Sequence, residues 1–123
     1  MSNAQDLADR YVAVWNEADA ESRRRQIAAL WAPDGRHYVD VREARGYDAL
    51  EQRIVGSYNK NVRDGGHRFH VMQDARELRD LIIFGWEMRP ANEDRAVAQG
   101  FVILLLNLEG RIRIDYLFIG GPR

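Results

Sequence analysis

One acidic residue stands in the run Ile112-Arg113-Ile114-Asp115-Tyr116-Leu117-Phe118. A carboxylate on an otherwise apolar strand is costly to bury unless it is paired or wet. Asp115 is therefore either a group that moves protons or the partner of a rim arginine, Arg36 or Arg68. A second carboxylate, Asp40, follows Tyr38-Val39 at the end of a short alternating segment. A carboxylate there becomes a stronger base where its surroundings are apolar. Its competing role is that of a strand-end aspartate capping a turn beside Val41-Arg42-Glu43.

Other chemistries find no constellation. The chain has no cysteine, which excludes a catalytic thiol, a thiolate metal site and a disulfide framework. His67 and His70 lie three apart on a strand and so face opposite sides, where they cannot share a metal. His37 has the opposite parity from Asp40 and enters a cavity only where a bulge shifts the strand. A Ser-His-Asp order, a phosphate-cradling glycine loop and a dinucleotide fingerprint are all missing, so neither a metal nor a cofactor is expected. Lys60 is the only lysine against many arginines, a bias that fits a GC-rich bacterial genome and leaves little room for Schiff-base chemistry.

The elements that must position the two acids follow from periodicity. Leu7, Tyr11, Val14, Trp15 and Ala18 recur at helical spacing over roughly 3–18. Asp19 can cap a second helix with the stripe Ile27, Leu30 and Trp31, ended by Pro33-Asp34-Gly35. Its Arg23-Arg24-Arg25 run reads as an outer face. A short strand occupies 36–41, and a third helix follows Gly46 with Leu50, Ile54 and Tyr58 buried. After Asp64-Gly65-Gly66 the chain is strand-like over 67–75, 81–89, 95–108 and 111–119. Short links between these strands predict an antiparallel meander with helices on one face, an α+β architecture. The run from Phe101 to Leu106 is apolar at both parities, so both sheet faces are expected to be covered there, one of them by a second copy in a homodimer.

The totals agree with one domain over 1–123: 123 residues, 46% hydrophobic and 30% charged, suffice for a core. A net charge of -1 makes nucleic-acid binding a poor expectation. The same apolar run is far too short to cross a bilayer, and the polar N-terminus lacks a signal-peptide pattern, which predicts a cytoplasmic protein without membrane partners.

The order Arg10-Tyr11…Trp15-Asn16, Ala29-Leu30-Trp31-Ala32-Pro33-Asp34, Arg45-Gly46-Tyr47-Asp48-Ala49-Leu50, Phe84-Gly85-Trp86-Glu87-Met88 and Gly110-Arg111-Ile112…Asp115-Tyr116 resembles NTF2-like proteins of the SnoaL and ketosteroid-isomerase kind, from Leu7 to Ile119. The resemblance implies a cone, with three N-terminal helices packed on a curved, mostly antiparallel sheet, that admits a small, mostly apolar molecule. It implies that Asp40 stands at the general base, that Tyr11 donates a hydrogen bond to a developing oxyanion, and that Asp115 faces the pocket as a second acid or base. Tyr11 can equally be one more large core residue. Val102 departs from the pattern, because the isomerases keep a protonated acid there; the handling of a carboxylic acid as a neutral donor in ketosteroid isomerase is a known case. Trp15, Tyr58, Phe84, Trp86, Met88 and Leu104, with Val102, are the expected pocket walls. The implied activity is cofactor-free proton transfer on an apolar carbonyl compound, as an isomerase, cyclase or dehydratase. The alternative is a non-catalytic dimeric cone that binds an apolar metabolite or a partner protein.

Overall fold

The computed structural model describes residues 3–120. Helix α1 (Asn3–Trp15) buries Leu7, Tyr11, Val14 and Trp15 of the expected face, with Ala8 besides, and ends short of the expected Ala18, which is exposed. Helix α2 (Ala20–Leu30) starts at Asp19, whose side chain accepts the Ser22 amide proton at 2.8 Å and satisfies one of the free first-turn donors. Arg23 is not on the outer face as expected. It is buried, donates to the Glu17 carbonyl and lies 5.3 Å over the Tyr58 ring. Helix α3 (Tyr47–Ser57) runs directly into a π-helical segment, Tyr58–Asp64. None of these helices is long and apolar enough to cross a membrane.

Seven strands follow the order β2-β1-β7-β6-β5-β3, with β4 on β5: β1 (Trp31–Val39), β2 (Arg42–Arg45), β3 (His67–Val71), β4 (Arg76–Leu78), β5 (Leu81–Pro90), β6 (Ala98–Leu106) and β7 (Ile112–Ile119). The sheet is mixed. β3, β5, β6 and β7 form the expected antiparallel meander, but β1 pairs parallel with β7 and antiparallel with the unexpected β2. The helices between β1 and β3 supply the long connection that a parallel pair needs.

Inward-facing side chains form rows across the sheet. One row is His37, Asp115, Leu104 and Ile82; the next is Val39, Leu117, Val102 and Phe84; the third holds Ile119, Gly100 and Trp86. Helix α1 packs over the first two rows, with the Tyr11 ring 5.6 Å from Phe84 and 5.5 Å from the Trp31 ring. This end of the cone is therefore filled, and the third row is left to bound an opening.

Candidate functional site

Trp31 and His37 are six positions apart on β1, which in a regular strand would separate them by about 20 Å. The register with β7 slips between Trp31 and Arg36, so the strand takes up extra residues there. Gly35 makes this possible, since a Cβ at that position would lie 2.8 Å from the Trp31 ring. Both side chains consequently converge on Asp115, which is fully buried. The Trp31 indole Nε1 donates to Oδ2 at 2.9 Å, the Tyr11 hydroxyl donates to Oδ1 at 3.0 Å, and His37 Nδ1 lies 2.7 Å from the same Oδ1.

Geometry assigns the proton on the imidazole. Trp31 can only donate and Tyr11 donates as well, so Asp115 acts as an acceptor and His37 Nδ1–H completes three donors on two oxygens. The other ring nitrogen, Nε2, is buried and has no hydrogen-bond partner among the described residues. Burial, reinforced by the nearby Asp115 charge, holds the Tyr11 hydroxyl well above the ordinary phenol range, so it remains a donor.

A cavity of about 490 Å³ opens beside this cluster. Tyr11, Val12 and Trp15 form its floor; Trp86, Met88, Ala98, Leu117 and Ile119 supply an apolar sheet wall. The opposite wall, from α3 and the π-helical segment, is polar: Gln52, Arg53, Ser57, Lys60 and Asn61, with Arg42 from β2. The Arg53 guanidinium lies 5.0 Å over the Trp15 ring, and its buried Nε has no hydrogen-bond partner among the described residues. Burial, and then the charge of Arg42, lower the proton affinity of Arg53 from its usual value.

Several sequence expectations are corrected here. Asp40 does not enter the cavity. It occupies the two-residue turn joining β1 to β2, exposed, at φ 52°, with its carboxylate 3.9 Å from Arg42. Gly35, His37 and Val39 take the inward parity of β1, so the next residue leaves the core face. Asp115 does face inward, but its partner is His37 rather than Arg36 or Arg68. Of the expected walls, Trp15, Trp86 and Met88 line the cavity. Phe84, Val102 and Leu104 are instead packed in the filled end under α1, and Tyr58 sits under Arg23. The sequence reading assigned no role to Trp31 or Arg53 and gave His37 only a bulge-dependent one; the signal for His37 was the Trp31…Gly35…His37 spacing around a slipped register.

No family model and no curated protein matches the chain. Solved structures do. A SnoaL-like family protein from Agrobacterium tumefaciens, whose name proposes an isomerase, is 27% identical over 98% of this chain and 100% of its own, with a TM-score of 0.87. The chain has the fold of SnoaL-like and NTF2-like proteins. Two more distant likenesses show the fold alone. A Burkholderia thailandensis SnoaL-like protein of unknown function has a TM-score of 0.73 at 10% identity, covering 96% of this chain and 95% of its own. A Sinorhizobium meliloti protein whose name proposes a polyketide cyclase has a TM-score of 0.69 at 12% identity, covering 91% and 93%.

The raised Tyr11 ionisation has a consequence for stability. The unfolded chain releases this proton near the ordinary phenol range, about pH 10, while the folded chain holds it to higher pH. Stability is thus fully present below that range and is lost as pH rises through it, by about 1.4 kcal/mol per pH unit. Urea unfolding between pH 9 and 11 is expected to show this slope in the wild type and a shallower one in Tyr11→Phe.

Proposed function

We propose that the protein catalyses cofactor-free proton transfer on an apolar, carbonyl-bearing small molecule, with His37 rather than Asp40 as the base. Tyr11 donates a hydrogen bond to the carbonyl oxygen as charge develops on it, and Asp115 is the positioning residue that fixes the imidazole with Nε2 free. The observation that carries this reading is the buried Asp115 with three converging donors beside a cavity. Buried polar clusters of this kind are weak contributors to stability compared with apolar packing of the same volume, whereas they recur where chemistry needs oriented groups. When the Tyr11 proton turns to a ligand oxygen, Trp31 and His37 still hold the carboxylate. Isomerisation, cyclisation and dehydration all use these parts, and the Agrobacterium protein's proposed isomerase name points the same way.

The test is deuterium uptake beside the carbonyl of 2-tetralone in heavy water, followed by mass spectrometry. Uptake well above the buffer rate is expected from the wild type. Substituting His37→Gln is expected to reduce it by about a hundredfold or more, the range of general base catalysis, with Asp40→Asn unchanged. One observation favours a second reading, a cone that only binds its ligand: the Trp15 ring packs 5.4 Å from His37 and belongs to the cavity wall, so a ligand meets Nε2 only where the indole yields. Binding of 2-tetralone without uptake, equal in wild type and His37→Gln, would establish that reading instead.

The outer sheet face supports assembly with a second copy. Phe101 stacks on Phe118 at 4.4 Å and Tyr38 on Tyr116 at 5.6 Å, beside Ile103 and Ile83, and Phe118 is exposed. Sedimentation at micromolar concentration is expected to give a dimer that Ile103→Lys converts to monomer. A wild-type monomer would remove this expectation.

A further inference from the structure

We propose that the ligand of this cavity is an anion, an apolar body ending in a carboxylate that pairs with the Arg53 guanidinium. The inference rests on the reading of the cavity as the ligand site. It narrows the ligand class and is independent of whether proton transfer follows.

The cavity has sides of different chemistry. Its sheet wall, with Trp86, Met88 and Leu117 among its members, is apolar, while the facing wall carries Arg42, Arg53 and Lys60. No aspartate or glutamate lines it, although acidic residues outnumber basic ones, 19 to 18, over the whole chain. Three cations around one concave space thus stand out against a near-neutral protein, and they focus a positive potential into it.

The cations differ in availability. Arg42 is at the mouth and faces Asp40 at 3.9 Å. Lys60 is exposed and has no carboxylate partner among the described residues. Arg53 is set into the wall, its guanidinium carbon 5.0 Å from the centre of the Trp15 ring and its Nε without a hydrogen-bond partner among the described residues. A guanidinium fixed by stacking keeps its edge donors pre-organised, which suits the two oxygens of a carboxylate. Neither nearby acid forms an ion pair with it: Asp115 is engaged by three donors, and Asp40 lies 3.9 Å from Arg42. An apolar body then lies along the sheet wall.

Two isosteric probes isolate the charge: sodium 2-naphthoate and the neutral 2-naphthamide, titrated calorimetrically into the full chain at low salt and at 0.5 M NaCl. The acid is expected to bind about tenfold or more tightly than the amide, the size of one charge-assisted hydrogen-bonded pair, with the preference weakening in salt. Arg53→Gln is expected to bring the two probes together, and Arg53→Lys, which keeps the charge, to retain part of the preference with the fold intact. Equal binding of acid and amide by the wild type, or a preference that survives Arg53→Gln, would overturn the anion inference and leave the cavity as an apolar ligand site. Failure of both probes to bind at millimolar concentration would overturn the inference together with the ligand-site reading.

Discussion

Asp115→Ala is expected to lower stability by about 3–5 kcal/mol, a large share of what a domain of this size possesses. The loss comes from what is left behind. His37 Nδ1–H, the Tyr11 hydroxyl and the Trp31 indole N–H all converge on this carboxylate in a site closed to water, and each would lose its acceptor. Asp115→Asn preserves the shape but turns an N–H₂ group toward donors, so an intermediate loss of about 1–3 kcal/mol is expected. Replacing both Asp115 and His37 by leucine removes the polar groups together and is expected to recover much of the Ala loss, because apolar substitution of a whole buried pair is often close to neutral. Urea midpoints of the three variants check the order. Recovery in the double variant with loss of deuterium uptake would show that the cluster serves chemistry more than folding.

Gly100→Ala is the second large effect. A Cβ at this position would lie 1.9 Å from the Phe118 carbonyl oxygen and 2.9 Å from the Trp86 ring. The first obstacle is backbone and cannot move aside, so β6 and β7 must part where they carry the cavity wall. A loss of at least about 3 kcal/mol is expected, in the range of severe overpacking. Gly56→Ala in α3 provides the contrast: nothing lies within 4 Å of the added Cβ, and helix propensity predicts a gain of about 0.5–1 kcal/mol. Urea unfolding of the two variants side by side separates a steric glycine from a merely permissive one.

The local patterns carried much of this fold. The α1 stripe and the strong β5 to β7 meander can be counted along the chain, because period and turn chemistry are local, while the inward parity of Asp115 follows from the family resemblance. The errors arose where long-range pairing decided the outcome. Trp31 was counted as the end of a helix but opens β1, where a slipped register and Gly35 bring it under Asp115. Alternation over 36–41 marks only a short strand, and it is the family resemblance that implies a pocket place for Asp40. The polar segment Arg42-Glu43-Ala44-Arg45 has little strand character of its own, yet it pairs with β1 and makes Asp40 a turn residue. Likewise, parallel pairing of β1 with β7, which sets His37 opposite Asp115, joins residues 78 apart in sequence. Arg53 was missed because a helical arginine has no pattern that marks it as stacked on an indole within a cavity wall.

The central claim is that His37 presents an unprotonated Nε2, held in place by Asp115. Long-range proton–nitrogen correlation spectra of uniformly ¹⁵N-labelled protein at neutral pH test it without any knowledge of the substrate. The His37 ring is expected to be neutral with its proton on Nδ1, and Asp115→Asn is expected to disturb this tautomer. A proton found on Nε2, with Nδ1 bare, would overturn the role of His37 and leave the cavity without its base.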